Sequence, residues 1–329
     1  MQSSSARPAR EKVAENPVFP QPSESVRQTT TIAVPADLAV WRQIIICMRP
    51  HQWVKNLFVL APLLFGRRIH DPGAVVLALI AFTGFCLLSS SLYLVNDVID
   101  AKADRAHHKK RHRPVASGAL PKTLALYCSG VLFLAAVVAT MTLGVHFLLL
   151  AGGYFFLMVG YCLALKRFLV VDCMVIASGF VMRVVSGAVA IRVEASHWLI
   201  VCAFLLALVL GFAKRRQELL TLAISATEHR PVLGQYTLSY LDQVNNILLG
   251  ATMVSYMLYT VAPETIAKFG TDRLIYGAVF VVYGLLRYMA LIQNPNLGGD
   301  PSKLLVRDRP LQAAILGWAV FNALVIYHS

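Results

Sequence analysis

Long apolar runs separated by short polar stretches recur nine times along this chain. At about 17–25 residues, such runs can cross a bilayer as helices. The predicted spans are 52–66 with an amphipathic lead-in from Trp41, 73–96, 122–143, 146–165, 170–191, 197–213, 242–262, 273–292 and 310–328. The first is short and polar at its start. The pattern predicts an all-α polytopic membrane protein with about nine transmembrane helices, residues 41–329 forming a single transmembrane domain. Residues 1–40 are rich in Ser, Pro, Thr and charge and lack an apolar run, so they read as a disordered cytoplasmic tail rather than a cleaved signal.

Composition agrees: 57% of the 329 residues are hydrophobic and 14% charged, which excludes a soluble globule. Of the 30 Lys and Arg, 23 fall on the side of the N-terminus, five on the other side (Arg67, Arg68, Arg192, Lys268, Arg273), and Arg183 and Arg287 inside spans. This bias predicts a cytoplasmic N-terminus in a plasma (inner) membrane. The net charge of +13 therefore gathers on one face, suited to anionic lipid head groups or phosphorylated substrates. Nucleic acid is excluded as a partner, because membrane spans interrupt the basic residues. The six cysteines are scattered without a C-x-x-C pair and read as packing residues.

The stretch Ser91–Gly118, SLYLVNDVIDAKADRAHHKKRHRPVASG, sets chemistry at the end of a span. At ~100° per residue, Asp97, Asp100 and Asp104 lie within roughly 60° of one another, with Asn96 beside them. Oxygen ligands stacked on one face suit a hard cation such as Mg²⁺. The competing reading is a helix end whose acids are balanced by Lys102, Arg105, Lys109 and Lys110. Proximity to the membrane favours the functional reading. His107, His108 and His112 lie in a basic loop without nearby cysteines, a poor zinc pattern.

Four further polar positions adjoin spans. In RPHQWVKN, Arg49–Asn56, Trp53 is expected at the interface with Lys55 and Asn56 pointing into a cavity, or the segment is an ordinary interfacial anchor. Tyr161, Lys166 and Arg167 end the fourth span; Asp172 and the deep Arg183 follow, Arg183 facing an internal pocket or pairing with Asp172. In GFAKRRQEL, Lys214 and Glu218 have salt-bridge spacing, while Lys214 and Arg215 can serve phosphates. GGDPSKLLVRDRP joins the last two spans through a turn and carries Lys303, Arg307, Asp308 and Arg309, either as a basic loop or as a cover over the site.

The series N-D-x-x-D-x-x-x-D, Asn96–Asp104, followed by K-x-x-R-P-x-x-x-G, Lys110–Gly118, resembles the first aspartate-rich motif of the UbiA-type intramembrane prenyltransferases. The resemblance covers residues 42–328 and implies helices around a central cavity open to lipid, with Mg²⁺ held by Asn96, Asp97, Asp100 and Asp104. Typical members carry a second acidic motif, D-x-x-x-D, where this chain has Lys214, Arg215 and Glu218. That departure, with RPHQWVKN, YxxxxK and Asp172-x10-Arg183, is similar to the branch making polyprenyl-phosphoryl 5-phosphoribose. The resemblance implies transfer of phosphoribose from 5-phosphoribosyl 1-diphosphate to a polyprenyl phosphate, for cell-envelope polysaccharide synthesis. It assigns Lys110 and Arg113 to the donor's phosphates, and Lys55, Tyr161, Lys166, Lys214 and Arg215 to the other two, with Glu218 orienting those cations or touching ribose hydroxyls. Two other readings compete: a prenyltransferase with an aromatic acceptor, and a transporter or lipid-phosphate binder without chemistry. Self-association is left open.

Overall fold

The structure, a computed structural model, describes residues 36–106, 110–224, 233–293, 304 and 307–328. Every regular element among them is helical. The lead-in helix α1, Ala36–Met48, begins before the boundary expected after residue 40; the rest of the expected tail, His107, His108, and Lys303 in the 294–303 segment lie outside the described residues.

Helix α1 stops because a residue preceding proline is kept out of the right-handed helical region. Arg49 takes the left-handed one instead, at φ 53° and ψ 59°. The chain continues as a 3-10 helix, Pro50–Leu60, and a short α2, Ala61–Phe65. Its 11 residues rise ~2.0 Å each and the five of α2 ~1.5 Å, together about 30 Å, the thickness of the hydrocarbon core. At one end Arg49 meets Asp97, and at the other the Ile69 amide meets the Tyr327 hydroxyl at 3.1 Å. The first span is short in sequence because the tighter helix covers more distance per residue.

Three residues per turn give this segment three faces. Trp53, Asn56 and Val59 share one. Trp53 Nε1 donates to Ser90 Oγ at 3.1 Å, and the Asn56 amide donates to Ser89 Oγ at 3.2 Å and Cys86 Sγ at 3.3 Å. Trp53 is therefore turned toward its neighbouring helix. Gln52, Lys55 and Phe58 form the second face, where Phe58 meets Phe180 edge-on at 5.0 Å. Leu57, on the third, is 49% exposed, as a lipid-facing residue should be.

Eight helical stretches among the described residues are long and apolar enough to cross a membrane. They are α3 (Pro72–Ile99), α6 (Lys122–Thr140, extended to Leu143), α7 (Val145–Leu163), α8 (Val171–Ala190), α9 (His197–Ile224), α10 (Leu238–Val261), Arg273–Gln293 containing α12 (Ala278–Gln293), and α13 (Arg309–His328). Short helices α4 (Ala101–Ala106), α5 (Pro114–Ser117) and α11 (Pro263–Phe269) lie between them. Eight such stretches stand against about nine expected, and the segment 50–65, 3-10 for most of its length, is not among them. Helices α3 and α8 are the most buried of the eight, and α6, α7 and α13 the least, so α3 and α8 form the interior against which the 3-10 segment packs.

Helix starts follow local chemistry. Asp71 caps α3 by accepting from the Gly73 and Ala74 amides, with Pro72 in the first turn. Those bonds, that from Ala74 foremost, hold its carboxyl below the ordinary range. Asp308 caps α13 through the Leu311 amide at 2.9 Å and accepts from Arg287 Nη2 at 2.8 Å. Arg287, expected to be buried within its span, is corrected: its side chain is 38% exposed and ion-paired at the helix end.

The approach of α8 to the 3-10 segment requires glycine. A Cβ on Gly187 would stand 2.0 Å from the Val59 carbonyl oxygen, backbone that cannot yield. Gly187→Ala is expected to lower the melting temperature by several degrees, corresponding to about 1–3 kcal/mol of overpacking. Gly130→Ala, which meets nothing within 4 Å, is expected to be neutral, and equal melting of the two variants by size-exclusion thermostability would contradict this packing.

Candidate functional site

The acidic side of the site is built across a helix break. Helix α3 ends at Ile99, Asp100 caps it, and α4 follows. The Asp100 amide still bonds the Asn96 carbonyl and the Asp104 amide the Asp100 carbonyl, both at 2.8 Å. The i, i+4 ladder therefore carries across the break and keeps Asp97, Asp100 and Asp104 in register. Asp97 and Asp104 are 2% and 4% exposed.

Cations from distant segments meet these carboxylates. Arg49 donates to Asp97 Oδ1 and lies over the Tyr93 ring at 5.0 Å. Arg113 Nη1 bridges Asp97 Oδ1 at 3.3 Å and Asp104 Oδ2 at 2.7 Å. Lys166 Nζ reaches Asp100 Oδ1 at 2.6 Å. Arg105 does not take the local balancing role: its Nε donates to the Ala116 carbonyl at 2.8 Å. Arg113 is placed by its own motif, since Pro114 opens the one-turn α5 and Gly118 ends it at φ 86°. Lys110 starts the turn before it, its carbonyl accepting from the Arg113 amide at 2.9 Å.

The donor set of Asp97, Asp100, Asp104 and the Asn96 amide is all oxygen, which fits a hard divalent ion. Two of the carboxylates are close enough to share one guanidinium nitrogen. No group of three His, Cys, Asp or Glu is drawn into metal-holding geometry among the described residues; here Arg49, Arg113 and Lys166 neutralise the acids. The set fits the ion in chemistry, and a cation replacing these pairs is compatible with it.

Deeper in the membrane lies Arg183 of α8, 5% exposed. It donates to Asn56 Oδ1 at 2.8 Å, the Gly179 carbonyl at 2.9 Å and the Tyr154 hydroxyl at 2.7 Å. Its guanidinium faces the rings of Tyr154, Phe180 and Phe85 at 4.6, 5.3 and 5.9 Å. The expected pairing with Asp172 is thus corrected, and so is the expectation that Asn56 points into a cavity: Asn56 is 1% exposed and links α3 to α8. Phe85 also lines a separate apolar cavity of about 170 Å³ between α3, α6 and α7.

Asp172 pairs with Arg215. Arg215, 1% exposed, donates from Nε to Asp172 Oδ2 at 2.5 Å, from Nη1 to Glu218 Oε2 at 2.6 Å and from Nη2 to the Tyr161 hydroxyl at 3.2 Å. Its neighbours face the other way: Arg216 Nη1 donates to the Ile292 carbonyl at 3.0 Å, as does the Gln217 amide, and Arg216 Nε reaches Asp242 at 2.5 Å. One turn of α9 thus ties the acidic pair at Asp172 to the end of α12. Lys214 is half-buried at the start of this turn.

Segment 165–172 enters α8 through a tight turn. Val170 has φ 65° and ψ −45°, and the Val171 amide bonds the Leu169 carbonyl at 2.7 Å. This is the γ-turn of positive φ, the more strained of the two forms, on a β-branched residue. Such strain costs about 1–3 kcal/mol and persists only where surroundings hold it. The Val170 amide donates to the Tyr236 hydroxyl at 2.9 Å, and that hydroxyl donates to Asp172 Oδ1 at 2.9 Å. Burial pushes the Tyr236 phenol up, so it remains a proton donor.

The structure therefore joins Asp97 and Asp104 through Arg113, sets the Asp100–Lys166 pair on the same helical register, and brings Tyr161, Arg215 and Glu218 into a second group joined to Asp172. Asn56 and Arg183 stand apart from both. Arg49, Tyr154 and Tyr236 were missed. Arg49 lay inside the RPHQWVKN motif, whereas for Tyr236 no sequence signal existed beyond a tyrosine beside the Thr237 helix cap.

Comparison with known proteins bears on this arrangement. A family model described as the UbiA prenyltransferase family matches residues 57–307. The chain is 33% identical over 292 residues to the decaprenyl-phosphate phosphoribosyltransferase of Mycolicibacterium smegmatis, covering 86% of this chain and 92% of that protein. It is 34% identical over 288 residues to the protein of the same name from Corynebacterium glutamicum, covering 85% of each. The fold is similar to that of a UbiA homolog from Archaeoglobus fulgidus bound to GPP and Mg²⁺, with a TM-score of 0.66 at 16% identity, over 86% of this chain and 99% of that one.

Proposed function

This chain belongs to the UbiA prenyltransferase family, and from that premise we propose that it transfers 5-phosphoribose from 5-phosphoribosyl 1-diphosphate to a polyprenyl phosphate, releasing diphosphate. Relatives named decaprenyl-phosphate phosphoribosyltransferase, similar over most of both chains, support this reading. The observation in the structure that carries it is the basic end of α9. Where a second acidic motif would grip a second metal, this chain places Lys214 and Arg215, and the one acid of that turn, Glu218, is held by Arg215. Arg215 is enclosed and engages both Glu218 and Asp172, so this turn offers no acidic pair to a second metal, and Lys214 is the cation assigned to a phosphate held without one.

The acceptor phosphate is already anionic, so its oxygen attacks the anomeric carbon without a general base. The difficult step is departure of the diphosphate as the ribose becomes cation-like. Asp97, Asp100, Asp104 and Asn96 are the residues that would hold Mg²⁺, which when bound supplies neutralisation of charge on the diphosphate. Lys110 and Arg113 are assigned to the donor's phosphates. Lys55, Tyr161, Lys166 and Lys214 are shared between the 5-phosphate and the lipid phosphate. Arg215, enclosed behind them, orients Tyr161 and Glu218, and Glu218 faces the ribose hydroxyls. Arg183, through Asn56, joins the 3-10 segment to α8. The basic residues at this end of the bundle support a site on the cytoplasmic side of the plasma membrane.

The test is transfer of radiolabel from 5-phosphoribosyl 1-diphosphate to organic-extractable lipid by purified protein, polyprenyl phosphate and Mg²⁺. Labelling that EDTA abolishes is expected. Absence of labelling in folded protein would overturn the reading and favour a prenyl diphosphate donor with an aromatic acceptor.

A further inference from the structure

The strained turn at Val170 stands between two parts of the site. On its N-terminal side, Lys166 is carried by the 3-10 turn Leu165–Arg167, closed by the bond from the Phe168 amide to the Leu165 carbonyl at 3.2 Å. On its C-terminal side, the Asp172 amide bonds the Phe168 carbonyl at 3.2 Å, and Asp172 itself receives Arg215. Lys166 is therefore joined to the turn through Phe168, whose amide and carbonyl are both bonded, and a change in the turn shifts the backbone carrying the ammonium that contacts Asp100.

Within its own segment the turn is closed by the bonds of the Cys173 and Met174 amides to the Val170 carbonyl, both at 3.0 Å; from outside it is held by one hydroxyl from 66 residues away. A tyrosine hydroxyl has one proton and lone pairs, and it donates that proton in a hydrogen bond to Asp172 Oδ1 at 2.9 Å. The oxygen is thereby left to receive the Val170 amide at 2.9 Å. Arg215 Nε donates to Asp172 Oδ2 at 2.5 Å and so fixes that carboxylate from the other side. The Tyr236 ring is 4% exposed and packs with Cys173, Phe212 and Leu241, so the hydroxyl cannot turn elsewhere.

We propose that Tyr236 is a positioning residue for the transfer reaction: its hydroxyl holds the γ-turn at Val170 and through it keeps Lys166 at the phosphate-binding side of the site. The activity readout rests on the phosphoribosyl transfer proposed above, and the structural readout does not. Removing the hydroxyl leaves the ring and its packing in place but lets the turn relax toward ordinary backbone angles. A glycine at 170 adopts the turn without strain and has less need of the hydroxyl.

Three purified variants test this: Tyr236→Phe, Val170→Gly and the two combined. Tyr236→Phe is expected to raise KM for one phosphorylated substrate about tenfold, the effect of a lost buried hydrogen bond, with kcat nearly kept. Hydrogen exchange at amides 171–174 is expected to quicken. The double variant should regain most of the lost affinity. Wild-type KM values in Tyr236→Phe, or a double variant no better than Tyr236→Phe while Val170→Gly is active, would overturn the proposal. If Tyr236→Phe does not fold, Val170→Gly is compared with Val170→Ala, which loses the same packing against Cys173 and its cluster but keeps the strain: glycine should melt no lower than alanine, and a lower melting temperature would remove the strain on which the proposal stands. A wild-type protein without transfer activity would remove the functional reading instead, and the exchange at 171–174 would still report whether Tyr236 holds the turn.

Discussion

Asp97→Ala is expected to abolish phosphoribosyl transfer, by at least ~10³-fold if the carboxylate contributes the several kcal/mol usual for a metal-holding group. Asp97 is the most enclosed of the three aspartates and is approached from two sides, by Arg49 and Arg113. Its removal leaves neither cation stranded, because Arg113 retains Asp104 and Arg49 retains the Tyr93 ring. The variant should therefore elute as the wild type does, and loss of activity can be assigned to the site rather than to unfolding. Asp97→Asn, which keeps the shape and removes the charge, should be equally inactive. Full lipid labelling by Asp97→Ala would eliminate the metal site from the mechanism, and activity confined to Asp97→Asn would mean that shape rather than charge is required.

The largest effect on stability is expected from Arg215→Ala. Arg215 and Asp172 form an ion pair with side chains 1% and 0% exposed. Deleting one partner of such a pair strands the other charge and costs about 3–5 kcal/mol, a fall in melting temperature on the order of 10 °C for a chain of this size. Arg215→Lys should not rescue it, since an ammonium is a point donor and cannot span Asp172, Glu218 and Tyr161 in the planar arrangement observed. Replacing both partners by Asp172→Asn and Arg215→Met should recover much of the stability, because no buried charge remains, while leaving transfer impaired as Glu218 and Tyr161 lose their orienting group. Thermal melting of Arg215→Ala with the wild type would show that this pair does not fasten α8 to α9.

The spans were legible because hydrocarbon selects apolar runs directly. Residues 122–143 coincide with the helical stretch found, and 310–328 with α13 to within a residue. Ends were less legible where polar chemistry decides them. Helix α9 runs beyond 213, through KRRQEL to Ile224, because its charged residues find buried partners on neighbouring helices. Helix α10 starts at Leu238 rather than 242 because Thr237 caps it through the Tyr240 amide. In the site, the aspartates could be read from their spacing, which is a property of one helix. Their partners could not: Arg49 lies 48 residues from Asp97 and Lys166 lies 66 from Asp100. The Asp172–Arg183 spacing suggested a pair on one helix, yet the side chains of Tyr154 and Asn56 satisfy Arg183 and release Asp172 to α9.

The surroundings of Arg183 also bear on how the chain is made. Asn56, Phe85 and Tyr154 all precede it in the sequence, and Gly179 and Phe180 enter with it on the same helix. Synthesis proceeds from the N-terminus, and a guanidinium left bare in hydrocarbon is costly. When α8 leaves the ribosome, the receptor for its cation has already been translated and inserted, so the charge need not wait in lipid for a partner. A circular permutation that opened the chain before α8, so that the residues preceding it followed α13, would keep the surroundings of Arg183 in the finished protein and still take that protection away during biosynthesis.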